Sequence, residues 1–157
     1  MDALLRLLNK HRTRLIVISY GIMYLWFGTL KFFPGVSPAE SLAKATLDSL
    51  TMGLIPTHIT YFMLASWEVT IGIAMLLNFV RKGVIYITML HLLFTFTPLF
   101  LLPDASFNQH FYSLTLVGQY IIKNLALLFM LPGLLAESRE HRDISKRSGD
   151  PAVLHSH

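Results

Sequence analysis

Ile59-Thr60-Tyr61-Phe62-Met63-Leu64-Ala65-Ser66-Trp67-Glu68-Val69-Thr70-Ile71-Gly72-Ile73-Ala74-Met75-Leu76-Leu77-Asn78-Phe79 is a run of 21 residues that carries one charge, Glu68. A helix rises about 1.5 Å per residue, so about 20 residues cross the ~30 Å hydrocarbon layer of a bilayer. Lipid cannot hydrogen-bond a peptide backbone, and a continuous helix satisfies its own. Working outward from this run, three further apolar segments have similar length: Leu15–Phe33, Val84–Leu102 and Ser113–Leu135. Core helices of a soluble protein are the other reading, but four of this length in 157 residues argue against it. The expected fold is all-α: a bundle of four transmembrane helices with a short amphipathic helix in the first outer loop.

Composition agrees. Hydrophobic residues make up 54% of the chain and charged residues 14%, against about 25% charged in an average soluble domain. The charges cluster outside the apolar runs, which divides the chain into a basic N-terminus (1–14), a transmembrane domain (15–135) and a polar tail (136–157). Arg6, Lys10, Arg12 and Arg14 precede the first run. Arg81 and Lys82 join the second and third, and Arg139, Arg142, Lys146 and Arg147 follow the fourth. By the positive-inside rule both termini and the 80–83 turn face the cytoplasm, and a bacterial inner membrane is the expected location. The first run is longer than a signal-peptide core and lacks a cleavage site after it, so it reads as a span. The net charge of +4 comes mostly from the termini. With no groove-reading motif it signals topology, and no nucleic-acid partner is expected. The chain has no cysteine, which excludes disulfides, thiolate metal ligands and dithiol redox chemistry within it.

The first outer loop reads as a capped helix: Ser37 as N-cap, Pro38 in the first helical position, Glu40 reaching back as in a capping box, and Gly53 as the stop. Ala39, Ala43, Thr46, Leu47 and Leu50 share one face, while Glu40, Lys44 and Asp48 line the other at four-residue spacing.

Charges inside spans are costly and are the first functional candidates. Here they are Lys31, Glu68 and Lys123. By the helical rise Glu68 and Lys123 both lie about 14–15 Å below the outer boundary and Lys31 about 3 Å below it. Equal depth predicts a buried Lys–Glu–Lys cluster weighted toward a Glu68–Lys123 pair. Three stripes carry these residues: Gly21, Tyr24, Gly28 and Lys31 on the first helix; Tyr61, Ala65, Glu68, Gly72 and Met75 on the second; Leu116, Gln119, Tyr120, Lys123 and Leu127 on the fourth. Small and polar residues on such stripes suit close helix packing. The cluster reads either as an ionic clasp that fixes helix register or as a polar site for a head group, a proton or a small solute. Its expected lining is Trp26, Gly28, Trp67, Gly72, His91, Gln119, Tyr120 and Asn124. His91, in the third span, reads as a proton relay to the cytoplasm or as a core histidine satisfied by a hydroxyl. Trp26 and Trp67 read as packing or cavity-wall residues, and Tyr61 and Tyr112 as outer-belt residues. No metal site is expected from His58, His110 and Asp104 near the outer boundary, nor from His155 and His157 in the tail. There is no phosphate loop, nucleophile elbow or zinc-protease helix motif.

In the order Gly28-x-x-Lys31, then Glu68-x-x-x-Gly72-x-x-x-Leu76, then Lys123-Asn124-Leu125, the chain resembles the DoxX-like family of small four-helix membrane proteins. The resemblance covers about residues 15–135. It implies association with quinone-linked membrane oxidoreductases, with Lys31, Glu68, Lys123 and Asn124 as the positions carried over and a quinone as the cofactor. On that reading Glu68 accepts a proton, Lys31 and Lys123 stabilise negative charge, and electrons come from a bound quinone or a redox partner protein. A homo-oligomer is the other partner expected. The alternatives are a small-solute or proton-coupled carrier and a non-catalytic assembly subunit.

Overall fold

The computed structural model describes residues 2–77, 82–108, 110 and 112–148, with side chains over 11–77, 82–108, 110 and 112–136. The basic residue Arg81 and the tail histidines His155 and His157 lie outside the described residues. Among the described residues seven helices follow one another: α1 Asp2–Leu30, α2 Glu40–Thr51, α3 Thr57–Leu76, α4 Lys82–Phe94, α5 Pro98–Leu101, α6 Pro103–Ser106 and α7 Leu116–Ser148. Four windows are long and apolar enough to cross a membrane: His11–Leu30, Thr57–Leu76, Lys82–Leu101 and Leu116–Ala136. Among the described residues the β-structure is limited to one isolated bridge, Phe107 to Leu114, before α7.

The closest packing is between α1 and α3, and glycine sets it. A Cβ on Gly72 would stand 2.6 Å from the Leu25 backbone nitrogen, and one on Gly28 would stand 2.9 Å from Glu68 Cβ and from the Val69 nitrogen. These contacts run the two helices antiparallel and fix their register: Gly28 beside Glu68, and Gly21 beside Gly72 and Leu76. The end of α1 therefore reaches only the middle of α3. The N-terminal half of α3, about ten residues or ~15 Å, is covered instead by the chain after Lys31 and by α2. Lys31 thus lies level with the middle of α3, where its place in the apolar run predicts a position near the end of the bundle. Close approach at glycines decides axial position, and apolar length alone does not.

The third span is not one continuous helix. Pro98 has no N–H to give to the Phe94 carbonyl, and α4 ends at Phe94. The Thr97 hydroxyl donates to that carbonyl at 2.6 Å, and the Thr95 hydroxyl donates to Leu92 O at 2.6 Å. Hydroxyls on neighbouring side chains are how a helix break is tolerated at membrane depth. The core lies between the spans and gathers Val17, Tyr20, Tyr24, Ile71, Met75, Ile85, Leu92, Leu131 and Leu134. The outward faces stay apolar: Ile22, Phe62, Met63, Leu90, Phe100 and Phe129 are exposed. A soluble monomer rarely leaves so much apolar surface uncovered, and these faces suit acyl chains.

The loop helix starts later than its sequence pattern predicts. Its N-cap is Ala39, with no side-chain cap. Glu40 reaches back, but to the Gly35 N–H at 2.7 Å rather than to Ser37. The helix ends where Met52 and Gly53 both take positive φ, 51° and 69°. Leu42 and Thr46 form its buried face, and Leu50 is exposed. At the other end of the chain α7 continues without interruption to Ser148, so residues 137–148 of the polar tail are helical.

Candidate functional site

Glu68 projects from α3 on the stripe Tyr61, Ala65, Glu68, Gly72, Met75, and every member of that stripe is buried. Its two carboxylate oxygens are taken by different helices. The Lys31 ammonium, just past the end of α1, donates to Oε2 at 2.6 Å. His91 Nε2, on α4, lies 3.4 Å from Oε1. The other ring nitrogen of His91, Nδ1, shares a 2.9 Å hydrogen bond with the Tyr24 hydroxyl of α1. With a proton on Nε2, His91 accepts from Tyr24 and donates to Glu68. The chain of contacts then runs Lys31, Glu68, His91, Tyr24 across three helices. The side chains of Lys31, Glu68 and His91 are each only 10–11% exposed. One turn before Tyr24, the Tyr20 hydroxyl donates to the Leu127 carbonyl of α7.

The predicted Glu68–Lys123 pair does not form. Lys123 is exposed and its ammonium lies over aromatic rings, 4.3 Å from the Tyr120 centroid and 5.5 Å from that of Phe27. The cause is the face that α7 turns inward. Gly118, Ile121, Leu131 and Leu134 are its buried residues, and Lys123 is two positions, or about 200°, round the helix from Ile121. Of the predicted stripe, Leu116, Gln119, Tyr120 and Lys123 therefore face outward and are exposed, whereas Leu127 is half-buried against the core. Asn124 does turn in: its side-chain amide donates to the Thr95 hydroxyl at 3.0 Å.

The remaining predicted lining residues separate into groups. Gly28 and Gly72 are buried in the α1–α3 contact and let the backbones meet. Trp26 is exposed on the outward side of α1. Trp67 lines an open groove of about 530 Å³ between α3 and α4, with Phe62, Met63, Thr70, Ala74 and Ile87. That groove lies on the outward face of α3, opposite Glu68. The hydroxyls it contains, Ser66 and Thr70, bond to their own helix at 2.9 and 2.7 Å. Tyr61 is not a belt residue. It is buried under α2, its hydroxyl makes no hydrogen bond of good geometry among the described residues, and the Lys44 ammonium lies 5.1 Å from its ring centroid. Above it Lys44 pairs with Glu40 at 2.6 Å. That hydrogen bond, then the one from the Gly35 N–H, holds the Glu40 carboxyl below the usual range. Asp48, the third member of that charged face, accepts from the Thr57 hydroxyl at 3.3 Å.

His58 and His110 are exposed, and the His110 ring stacks on Tyr112. Among the described residues no three His, Cys, Asp or Glu side chains converge as metal ligands do.

Sequence reasoning missed Tyr20 as an anchor, and it put Tyr61 both on the packing stripe and in the outer belt, of which the structure bears out the stripe. Both carried a usable signal, since Tyr20 lies one turn from Tyr24 and Tyr61 two turns from Glu68 on the same stripes.

A quinone head group does not fit against Glu68 in this arrangement. Both carboxylate oxygens have partners, Lys31 is committed to one of them, and the α1 backbone at Gly28 packs directly on Glu68 Cβ. The open groove could take a hydrocarbon tail, but its wall is almost wholly apolar. The arrangement suits holding a proton and passing it between carboxylate, imidazole and phenol.

No protein-family model, curated protein or solved structure matches the chain.

Proposed function

We propose that this chain is a multi-pass protein of a bacterial inner membrane, with both termini in the cytoplasm, whose buried Lys31–Glu68–His91–Tyr24 site takes up and releases a proton. The observation that carries this reading is the unbroken run of polar contacts from a lysine through a carboxylate and an imidazole to a phenol, with hydrogen bonds at both ends and a 3.4 Å carboxylate–imidazole contact between them. A carboxylate and an imidazole in contact offer two proton-accepting groups, and the ammonium on the far oxygen lets the carboxylate keep its charge in a dry setting. The resemblance to the DoxX-like family supplies the process served: a quinone-linked membrane oxidoreductase in which this subunit handles protons. On this reading the quinone is held outside the Glu68 pocket and a redox partner protein carries the electrons.

The test is an infrared titration of the purified protein in lipid nanodiscs. A carboxyl band that appears and disappears with pH and is missing in Glu68→Gln is the expected result. A carboxylate that stays ionised through the whole accessible range overturns the reading.

A second reading has its own support. Because Glu68 joins α1, α3 and α4, the cluster would also serve as a clasp that fixes their register in an assembly subunit. A purely structural ion pair tolerates replacement by apolar residues of similar volume. A Lys31→Met, Glu68→Leu double variant that keeps both stability and cellular phenotype would select this second reading.

A further inference from the structure

Tyr61 occupies an unusual position. It is 5% exposed, it belongs to the buried stripe that holds Glu68, and among the described residues its hydroxyl makes no hydrogen bond of good geometry, with the Ser37 side chain its nearest polar neighbour. Buried polar atoms nearly always make such a bond, and an orphan calls for a physical reason. Its neighbours are ordered along the bundle axis. Toward the α2 end lie Ser37, also buried, and the Glu40–Lys44 pair, whose lysine side chain is 39% exposed. Toward the middle, seven residues or about 10 Å along α3, lies Glu68. Charged and titratable groups thus face Tyr61 from both sides: Glu40 and Lys44 from α2, and Glu68 with its partners Lys31 and His91 from below.

The opposite end of the site is closed. Past His91 the hydrogen bonds reach Tyr24, and one turn further Tyr20 has its only proton committed to the Leu127 carbonyl. A carbonyl accepts a hydrogen bond but has no proton to hand on. Leu131 and Leu134, both fully buried, fill the core beyond.

We propose that Glu68 exchanges protons with the aqueous phase on the α2 side only, with the Tyr61 hydroxyl as the relay and Ser37 as its outer contact. This rests on the proton-handling reading of Glu68. In the transfer, a hydronium ion at the α2 side gives its proton through the Ser37 hydroxyl to the Tyr61 oxygen and becomes water, as the phenolic proton passes inward to the Glu68 carboxylate through bridging water. Tyr61 is regenerated, Glu68 ends protonated, and no other group changes charge. One-sided access separates this site from a channel. It loads and unloads a proton without leaking it across the membrane.

The test measures how fast the Glu68 carboxyl band shifts after transfer of the nanodisc-held protein into heavy water, in the wild type and in Tyr61→Phe, Ser37→Ala and Tyr20→Phe. Tyr61→Phe should slow exchange on the order of a hundredfold, the low end of what a positioned proton-transfer group contributes. Ser37→Ala should slow it less and Tyr20→Phe not at all. Ser37→Ala keeps the test decisive if Tyr61→Phe perturbs the fold. Unchanged exchange in both Tyr61→Phe and Ser37→Ala overturns the route while leaving the site intact. Slowing in Tyr20→Phe equal to that in Tyr61→Phe overturns its one-sidedness. Absence of any Glu68 band that responds to pH is a different failure, since it removes the proton site itself.

Discussion

Replacing Gly72 by alanine tests the contact on which the site's geometry depends. The added Cβ would stand 2.6 Å from the Leu25 nitrogen, 2.9 Å from Leu25 Cα and 3.0 Å from the Gly21 carbonyl oxygen. All three are backbone atoms of α1, so no rotamer change relieves the clash. Ordinary contact begins at 3.4 Å, so the helices must part locally by about 0.8 Å. Overpacking of this kind costs about 1–3 kcal/mol. A gap of about 0.5–1 Å also forfeits a quarter to a half of the dispersion attraction at each neighbouring contact, which favours the upper part of that range. Against this stands up to about 1 kcal/mol gained from the better helix propensity of alanine. The expected net loss is about 1–2 kcal/mol, or roughly 5- to 30-fold in the unfolding equilibrium. Two controls bracket it. Gly133→Ala enters open space and should be neutral or slightly stabilising. Gly21→Ala meets chiefly the Leu76 side chain, at 2.7 and 2.8 Å, which can turn away, so its cost should be smaller. The assay is reversible denaturation in mixed micelles followed by circular dichroism. Equal stability of Gly72→Ala and Gly133→Ala would refute the close α1–α3 contact, and with it the register that carries Lys31 to Glu68.

Other consequences follow from the same geometry. Lys31→Met leaves a buried carboxylate with only His91 beside it and should cost about 3–5 kcal/mol, whereas Lys123→Met removes an exposed cation over two rings and should cost about 0.5–1 kcal/mol. Parallel denaturation of the two variants checks this, and a larger loss from Lys123→Met contradicts the placement of α7. Thr97→Val removes the 2.6 Å hydroxyl donor to the Phe94 carbonyl but keeps the Thr97 N–H on it at 3.1 Å, so it should destabilise by only about 0.5–1.5 kcal/mol, read from the same curves. Glu40 is held below the usual carboxylate range in the folded protein. Its support of the loop is therefore complete at neutral pH and is lost as pH falls through its lowered folded value. Protection of the Gly35 amide against hydrogen exchange, corrected for the intrinsic rate, should drop in that acidic window, and Glu40→Gln should abolish the drop.

The spans were legible because their signal is local: about twenty apolar residues in a row need no knowledge of neighbours. The inward face of α3 was legible for a related reason. Tyr61, Ala65, Glu68, Gly72 and Met75 put a charge and a glycine on one side of a helix that is otherwise apolar, and a charge at that depth must turn inward. The position of Lys31 was not legible, because depth was counted from the end of an apolar run. Close approach at Gly28 and Gly72 instead slides α1 along α3, and that is a property of the pair. The inward face of α7 was misread for want of contrast. Its membrane segment is apolar on nearly all sides, so one lysine was made to choose the face. Lys123 avoids the cost of exposure by resting on Tyr120 and Phe27, a contact that joins two helices and has no trace in either segment alone. The loop helix shows a smaller version of the same limit. Glu40 does reach back to a backbone N–H, but Gly35, with φ +76°, presents a better-placed donor than the predicted cap.

The adjacent residues Lys123 and Asn124 illustrate what a short motif leaves open, and they give a last prediction. Consecutive helical positions point about 100° apart, so at most one of the two can face the bundle squarely, and here it is the amide. Asn124 donates to the Thr95 hydroxyl at 3.0 Å, and Thr95 itself donates to Leu92 O, one residue beyond His91. Through this bridge α7 holds the end of α4 that carries the imidazole, although α7 gives no atom to the Glu68 cluster. Asn124→Leu removes one hydrogen bond and leaves Thr95 still bonded, so it should cost about 1 kcal/mol. Thr95→Val removes the acceptor and strands the Asn124 amide as well, so it should cost more, about 1–3 kcal/mol. Because the bridge positions His91, both variants should also alter the pH dependence of the imidazole signal seen by nuclear magnetic resonance, while Lys123→Leu should leave it in place. If Lys123→Leu moves the His91 signal and Asn124→Leu does not, then the inward face of α7 is the lysine's and the helix is rotated from the arrangement described.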